Sequence, residues 1–283
     1  MQKLVLGTAN FGNRYGIANK IDLNQDEIDK ILRWSSGRLE ELDTSEDYGG
    51  SHVAISNLSK NFKITTKINL NKITSTREIY SRISNIKKDL RCRSVDRILL
   101  RPYENDKAFT LSAIRELRSV QEECNVRDIG LTIYETSELE YFANELEGPL
   151  TFQIPLNILN RSFEYFVNSN PTTFENITFY ARSIFLQGLL LMDQNEVPTS
   201  LRDINPTLLA LNKNLSQIGI SILEATFAFL KSQRWVEGVV MGISSLAELQ
   251  NNLGIFENIH AIDLDFLERI QTPSSSILDP RQW

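Results

Sequence analysis

Four polar side chains stand at or just after the ends of short apolar runs, and their chemical types suit proton transfer. They are Asp43 and Tyr48 in LEELDTSEDYGGS, Lys67 in FKITTKI and Arg101 in VDRILLRPY. A phenol has a pKa of about 10 in water, and a lysine held beside it would lower that value. A carboxylate paired with the lysine would keep the ammonium charged and in place. The group therefore indicates a site at which Tyr48 gives a proton to a carbonyl oxygen during its reduction.

Strand-like runs alternate with amphipathic stretches along the whole chain, which is the pattern of a parallel sheet with helical crossovers. We predict strands near residues 3–7, 39–43, 62–67, 96–101, 127–132, 150–154, 176–181 and 237–241. We predict helices near residues 25–36, 50–59, 75–91, 107–124, 137–146, 161–169, 206–232 and 245–256, followed by an irregular tail, TPSSSILDPRQW. Eight such alternations close a (β/α)8 TIM barrel. Since no linker or repeat divides residues 1–283, the sequence predicts an α/β fold with one domain.

A closed parallel barrel determines where chemistry takes place, because catalytic groups lie at the C-terminal ends of its strands and in the loops that follow. Asp43, Lys67 and Arg101 fall at such predicted ends, and Tyr48 falls in the loop after the second strand. Structural interpretations stay open beside this one. Asp43 could bond loop amides, Tyr48 could cap the barrel, and Lys67 could be a solvated charge. The agreement between the fold and the chemistry favours a catalytic site.

Composition and charge narrow the classes of function. The chain has 283 residues, of which 41% are hydrophobic, and a formal net charge of −6, which disfavours general nucleic-acid binding. No apolar run approaches the ~20 residues of a membrane helix, and the start MQKLVLGTANFG does not have the pattern of a signal peptide. Cys92, Cys124, His52 and His260 give neither a disulfide framework nor a metal site. We therefore expect a cytoplasmic enzyme that acts on a small molecule without metal, membrane or nucleic acid, its oligomeric state left open.

Several segments together resemble the aldo-keto reductases over nearly the whole chain. LVLGTANFGNRYG is similar to that family's first barrel strand and glycine-rich turn, and DTSEDYG to the segment that carries its catalytic aspartate and tyrosine. FQIPLNILNRS, ARSIFLQGLLL and VVMGISSLAELQNNL resemble its sixth, seventh and eighth strands with their loops. The resemblance implies a TIM barrel, NADPH or NADH as cofactor, and catalytic roles for Asp43, Tyr48 and Lys67. The GTANFG-type start is also typical of sequences that resemble bacterial enzymes of sugar or surface-polysaccharide metabolism.

The same resemblance implies where the dinucleotide would bind, without a glycine-rich Rossmann loop. Thr132 and Gln153 match positions that bond the nicotinamide carboxamide, and Arg182 stands where a stacking tyrosine is common. The other implied cofactor residues follow strands one, seven and eight; they are Gly7, Thr8, Ser183, Gln187, Gly188, Gly242, Ser244, Ser245 and Asn252. A plain alternative for RSIFLQGLLL is a buried strand end that packs against a helix.

The adenosine end of the implied site has few cations. Gly242 and Glu248 occupy positions where many family members place cationic side chains around the 2′-phosphate. A carboxylate that points inward at Glu248 would repel this phosphate, so we expect NADH or dual use rather than strict dependence on NADPH. A shift of one residue in the helix would turn Glu248 to solvent and remove the argument.

Arg101 departs from the pattern of the resembled family, which usually has histidine at this strand end. A guanidinium donates strong hydrogen bonds but is always charged, and a cation close to Tyr48 would push the phenol towards phenolate. Arg101 could bind an anionic group of the substrate, or ordinary carbonyl reduction could be lost. As a structural alternative, Arg101 could simply pair with Glu104.

The segment after strand one is predicted to border the substrate pocket through Asn10, Arg14 and Tyr15. Arg14 and Arg101 together would give that pocket a cationic lining, which suits an acidic sugar or another carboxylate or phosphate substrate. The sequence thus favours an oxidoreductase that reduces an aldehyde or ketone. Two alternatives remain: a cofactor-binding barrel with little turnover and a regulatory role, and cofactor-assisted chemistry other than carbonyl reduction.

Overall fold

Eight parallel strands form a closed barrel in the computed structural model of the chain, which describes residues 2–19, 21–104 and 106–283. The strands are β1 (Lys3–Gly7), β2 (Glu41–Asp43), β3 (Lys63–Asn69), β4 (Val95–Arg101), β5 (Val126–Thr132), β6 (Leu150–Pro155), β7 (Ile177–Arg182) and β8 (Val236–Gly242). Each strand pairs with the next along the chain, and β8 pairs with β1. The structure confirms the predicted α/β fold, a (β/α)8 TIM barrel.

Helices connect the strands on the outside of the barrel. They are α1 (Ala9–Gly12), α2 (Gln25–Ser35), α3 (Ser51–Ile55), α4 (Glu78–Leu90), α5 (Lys107–Ser119), α6 (Thr136–Glu145), α7 (Ser162–Ser169), α8 (Asn205–Ile218), α9 (Ile222–Ser232), α10 (Leu246–Asn258) and α11 (Ser275–Leu278). In α4, apolar residues recur every three or four positions and all are buried, which is the helical period; they are Ile79, Ile83, Ile86 and Leu90. Within the described ranges, no helix is both long and apolar enough to cross a membrane.

The long helix predicted near residues 206–232 is wrong, because the structure has two helices there. Gly219 ends α8 in the left-handed conformation, with a φ of 71° that favours glycine. Ser221 then begins α9, and its side chain forms a capping box with Glu224. The glycine and the Ser-x-x-Glu spacing were both visible in the sequence, but the continuous apolar face across them suggested one helix.

Other elements also differ from prediction: β2, α3 and α5 are shorter than predicted, and β3 and the C-terminal segment differ in ways that bear on the site. β3 continues to Asn69, so Lys67 lies inside the strand and not at its end. The C-terminal segment, residues 272–283, is not irregular throughout. It forms α11 and a 3₁₀ turn at Pro280–Gln282, and it buries Ile277. This apolar contact holds the segment against the barrel.

An ion network lies in the N-terminal half of the barrel. Glu41 is only 3% exposed, and it accepts hydrogen bonds from Tyr180 Oη at 3.0 Å and from Arg97 Nη1 at 3.5 Å. Arg97 also pairs with Asp128 and lies over the Tyr180 ring, 4.4 Å from its centroid. Gly238 makes room for this ring, since a Cβ there would come 2.5 Å from Tyr180 Cε1. Charges and one aromatic ring therefore line this end of the barrel, opposite the ends of the strands.

Candidate active site

A cavity of about 690 Å³ opens at the end of the barrel where the strands terminate. Strand ends form its base, and loops after β1, β2, β7 and β8 form much of its wall. The structure brings most predicted site residues together here; those that line the cavity are Gly7, Asn10, Tyr15, Asp43, Tyr48, Lys67, Arg101, Thr132, Gln153, Arg182, Ser183, Gln187, Gly188, Gly242 and Ser244. Across the part of the chain that the structure describes, no group of His, Cys, Asp and Glu residues is arranged to hold a metal ion.

Lys67 connects Asp43 to Tyr48 at the base of the cavity. Its Nζ lies 2.5 Å from Asp43 Oδ2, 3.2 Å from the Thr44 carbonyl oxygen and 3.5 Å from Tyr48 Oη. Asp43 ends β2, and Lys67 points inward from the adjacent β3, so the sheet itself fixes this pair. Asp43 and Lys67 are both buried. The ammonium is therefore close enough to stabilise a negative charge on the phenol oxygen.

The Tyr48 phenol is strongly biased towards its protonated form. Burial and the Asp43 carboxylate raise the pKa of Tyr48 far above its ordinary value, against the opposing effect of the Arg182 guanidinium. Burial lowers the pKa of Lys67, and Asp43 opposes that shift. The net shift of the Tyr48 pKa is opposite to the one expected from its cationic neighbours, because desolvation outweighs them. Tyr48 thus keeps a proton to donate at neutral pH.

Gln153 presents an unsatisfied hydrogen-bond acceptor in the wall of the cavity. Its Nε2 donates to Asp43 Oδ1 at 2.7 Å, which orients the amide. Its Oε1 is buried and has no partner in the described structure. A buried polar atom without a partner is unfavourable unless a ligand satisfies it. An amide NH₂ group such as that of a nicotinamide carboxamide fits this acceptor.

Arg182, the last residue of β7, is held flat along the same wall. Its Nε donates to Thr132 Oγ1 at 3.2 Å, its Nη2 to the Ile133 carbonyl oxygen at 2.9 Å and its Nη1 to Ser183 Oγ at 3.2 Å. Its Cζ lies 4.0 Å from the centroid of the Tyr134 ring. Sequence reasoning missed Tyr134, because nothing in its segment marks it as more than a loop aromatic. The guanidinium forms a fixed planar surface of the kind that stacks on a ring.

The loop after β7 has positive φ angles, which residues with side chains rarely adopt. Ser183 and Gln187 have φ values of 54° and 53°, and Gly188 has a φ of 92°. Gly188 packs directly on Ala18, whose Cβ would lie 2.4 Å from a Cβ at position 188. Gln187 Nε2 donates to Tyr15 Oη at 3.3 Å. The loops after β1 and β7 therefore meet across the cavity.

At the far end of the cavity, Glu248 points inward. Its Oε2 accepts hydrogen bonds from the backbone N–H and the hydroxyl of Ser244, both at 2.7 Å. Ser245 and Asn252, which were predicted to contact the cofactor, do not line the cavity. Ser245 caps α10 through the Glu248 N–H, and the buried Asn252 amide donates to Met241 Sδ. Both polar side chains therefore form hydrogen bonds with neighbouring residues of the barrel.

Two predicted residues near the start of the chain also lie outside the cavity lining. Thr8 is fully buried; its hydroxyl donates to the Asp43 carbonyl oxygen at 3.1 Å and contacts Ser51 Oγ at 2.7 Å. Thr8 therefore fixes the strand that carries Asp43. Arg14 is exposed, and its Nε donates to the Asn19 carbonyl oxygen at 2.8 Å. The predicted cationic lining thus lacks Arg14, because this side chain folds back on its own loop.

Asn10 lines the cavity, but its amide holds the loop after β1. Its Nδ2 donates to the Ile243 carbonyl oxygen at 2.9 Å, and its Oδ1 accepts from the Tyr15 N–H and from Asn19 Nδ2, both at 3.0 Å. These bonds place the Tyr15 ring 6.1 Å from the Tyr48 ring, measured between centroids. Asn10 is therefore suited to positioning the pocket wall, and Tyr15 to bordering a substrate.

Arg101 lines the cavity opposite this wall and pairs with Glu104, with Nη2 and Oε1 3.1 Å apart. Beside it lies Asn69, its register partner on β3, whose Nδ2 donates to Asp47 Oδ2 at 2.7 Å. Sequence reasoning missed Asn69 and Asp47. Their signal was available, since Asn69 lies two residues after Lys67 and therefore on the same face of the strand.

Solved structures share this fold. A glycerol dehydrogenase from Gluconobacter oxydans is 17% identical with a TM-score of 0.73, and the match covers 98% of this chain and 94% of that chain. An aldo/keto reductase from Brucella melitensis is 18% identical (TM-score 0.64; 98% and 94% covered), and an aldo-keto reductase from a Medee basin deep-sea metagenome library is 16% identical (TM-score 0.66; 95% and 89% covered). A comparison with curated proteins finds no match. The model of the aldo/keto reductase family matches residues 3–272, nearly the whole barrel, and the chain therefore belongs to the aldo/keto reductase family.

Proposed function

We propose that the protein is a nicotinamide-dependent oxidoreductase that reduces the carbonyl group of a small aldehyde or ketone, with Tyr48 as proton donor. The observation that carries this proposal is the arrangement of Asp43, Lys67 and Tyr48 at the base of the cavity, with 3.5 Å between Lys67 Nζ and Tyr48 Oη. Membership of the aldo/keto reductase family supports the same class of reaction.

The protonation states support donation by Tyr48. Because its pKa is raised by burial and by Asp43, the phenol is protonated when a carbonyl oxygen approaches it. A reduced nicotinamide, when bound, supplies hydride to the carbonyl carbon. The O–H bond of Tyr48 breaks as the O–H bond of the product alcohol forms. The Lys67 ammonium stabilises the phenolate that remains, and Asp43 keeps this ammonium in place.

The residues around this base fit a nicotinamide. The unsatisfied Gln153 Oε1 would accept from the carboxamide NH₂, and the flat Arg182 guanidinium would stack on the ring. The loop of Ser183, Gln187 and Gly188 would approach the pyrophosphate, where small side chains and hydroxyls allow close contact. This cofactor assignment is an expectation of the fold and of the cavity lining together.

Glu248 favours NADH over NADPH. Its carboxylate faces the cavity and takes both Ser244 donors, so a 2′-phosphate at this position would meet a negative charge and lose two donors. We expect Glu248→Gln to tighten NADPH binding by roughly tenfold and to leave NADH binding within about twofold, as removal of one like-charge contact predicts. Glu257→Gln, at the other end of α10, is the matched control. Equal effects of both variants would remove Glu248 from cofactor selection.

Arg101 supports a substrate with an anionic group, such as an acidic sugar or another carboxylate or phosphate. It lines the cavity, and only one of its nitrogens bonds Glu104 in the described structure. The remaining N–H donors are arranged as a fork that matches carboxylate and phosphate oxygens.

The test begins with fluorescence titrations of the purified protein with NADH and, separately, NADPH. We expect saturable binding of at least one dinucleotide. Cofactor oxidation is then followed with acidic and neutral sugar carbonyls. Tyr48→Phe should lower kcat by roughly 10²–10⁴-fold, the usual contribution of a general acid, with dinucleotide affinity nearly unchanged. Tyr165→Phe, an exposed tyrosine that is 51% accessible, is the control for loss of a phenol.

The results of the titrations and of the carbonyl panel distinguish the proposed oxidoreductase from its two alternatives. If neither dinucleotide binds at millimolar concentration, the oxidoreductase proposal is contradicted. Binding without turnover across the carbonyl panel would favour a regulatory barrel. Product formation without net carbonyl reduction would favour other cofactor-assisted chemistry.

A further inference from the structure

The ring of Tyr134 has two guanidinium groups against it, one from β7 and one from the C-terminal segment. The Cζ atoms of Arg182 and Arg281 lie 4.0 Å and 3.7 Å from the ring centroid. Two guanidinium groups this close to one centroid would clash on a single face, so the ring lies between them. Tyr134 and Arg182 line the cavity, whereas Arg281 lies behind them.

Arg281 is itself held in a defined orientation. Its Nε and Nη2 donate to the two carboxylate oxygens of Asp279 at 2.9 Å and 2.7 Å, a forked pairing. Glu135, which follows Tyr134, lies 3.8 Å from Arg281 Nη2. The burial of Ile277 anchors the same segment to the barrel. Contacts with Asp279 and Glu135 therefore orient the guanidinium independently of the Tyr134 ring.

The Tyr134 ring connects Arg281 to Arg182, which lies in the wall of the cavity. Arg182 is fixed along one edge by its bonds to Thr132 and Ile133, and the Tyr134 ring supports one of its faces. A cation over an aromatic face is held more firmly when the pair is partly desolvated. Without Arg281, the ring would lose its support on the far side.

We propose that Arg281 is a positioning residue of the cofactor site: it supports Tyr134, and Tyr134 holds Arg182 in the orientation that stacks on the nicotinamide. This inference rests on the proposed function, since the nicotinamide is the ligand assigned there to Arg182. It makes the C-terminal segment a part of the site, although Arg281 lies outside the cavity lining.

The test is the affinity for NADH, measured by fluorescence titration of the full chain. We expect Arg281→Ala to weaken binding by roughly fivefold, the range of one cation–π contact. Arg281→Lys should restore most of the affinity, because a cation stays over the ring. Arg269→Ala, an exposed arginine in the segment just before residue 272, is the matched control and should bind as the wild type does. If Arg281→Ala unfolds the protein, Arg281→Gln carries the same expectation.

A double-mutant cycle separates positioning from general stability. Tyr134→Leu should weaken NADH binding, and adding Arg281→Ala to it should have no further effect, because the ring through which Arg281 acts is gone. Additive losses, or an Arg281→Ala variant that binds like the wild type, would overturn the inference. A wild-type protein that binds neither dinucleotide would instead overturn the proposed function, and with it the role given to Arg281.

Discussion

Arg101 is ion-paired with Glu104 at the mouth of the cavity, and the guanidinium that opposes the raised pKa of Tyr48 is a different one, that of Arg182. Arg101 at the end of β4 therefore need not convert the Tyr48 phenol to a phenolate. The local pair with Glu104 confirms the structural alternative in part. It leaves further donors of Arg101 for an anionic group of the substrate.

Substitution of Arg101 is expected to change substrate affinity more than proton transfer. Arg101→Leu should raise KM for a carboxylate- or phosphate-bearing carbonyl by roughly 10–100-fold, the loss of one charged hydrogen bond. The KM for a neutral aldehyde should stay nearly constant. Steady-state kinetics on matched acidic and neutral substrates measure the difference. Equal losses on both would show that Arg101 does not recognise charge. Arg118→Leu, a cation on α5 away from the cavity lining, is the control.

The Lys67–Asp43 pair should show strong coupling in stability. Lys67→Met leaves the Asp43 carboxylate buried without its cation and should lower the free energy of unfolding by about 3–5 kcal/mol. Asp43→Asn combined with Lys67→Met removes both charges and should be less destabilised than Lys67→Met alone. Urea denaturation of the three proteins measures this order. If the double variant is the least stable, the pair is not a coupled unit.

His52 makes the fold sensitive to acid. It is 5% exposed, its Nε2 lies 2.9 Å from Thr66 Oγ1, and burial lowers its pKa from 6.5 to about 4. Between these values the unfolded chain binds the proton and the folded chain does not, so the contribution of His52 to stability is complete above pH 6.5 and falls as the pH approaches 4.

This loss should amount to roughly 3 kcal/mol, and His52→Gln should remove most of it while keeping a hydrogen bond to Thr66. Denaturation midpoints measured across this pH range test the expectation. His260→Gln, the other histidine of the chain and an exposed one, should leave the wild-type slope unchanged. A slope that persists in His52→Gln would assign the acid sensitivity to carboxylates.

Gly12 should be intolerant of any side chain, because α1 packs against the backbone of the loop that carries Tyr48. A Cβ at position 12 would lie 1.8 Å from the Tyr48 carbonyl oxygen and 2.4 Å from the Ser51 nitrogen. Gly12→Ala must move this loop, and we expect about 1–3 kcal/mol of destabilisation together with reduced kcat. Gly50→Ala, where nothing lies within 4 Å, is the control. Calorimetry and cofactor oxidation measure both effects, and unchanged values for Gly12→Ala would contradict the packing.

The barrel and the base of its cavity could be predicted because they depend on local patterns. Alternating apolar runs gave the strands, and the position of Asp43 at a strand end gave the site. The pair of Lys67 with Asp43 followed from two adjacent strands. The direction of Glu248 depends on the residue at which α10 begins. Ser245 marks this residue, because its side chain caps the helix.

Other features depend on contacts between distant parts of the chain, which periodicity does not report. The sign of the Tyr48 pKa shift depends on how deeply the loop buries the phenol. The contact of Arg281 with Tyr134 joins residues far apart in sequence. Arg14 lies outside the cavity lining because its loop directs the side chain to the Asn19 carbonyl oxygen.

β2 has only three residues, and two of them face the interior of the barrel. Glu41 belongs to the ion network of the N-terminal half, while Asp43 pairs with Lys67 at the base of the cavity. A slip of one residue in register would withdraw both at once. We therefore expect β2 to tolerate little variation, whether natural or from directed evolution. The loops after β1 and β7 do not share this double constraint, so libraries that vary them while keeping Gly12, Ser183, Gln187 and Gly188 can explore new substrates on an intact scaffold.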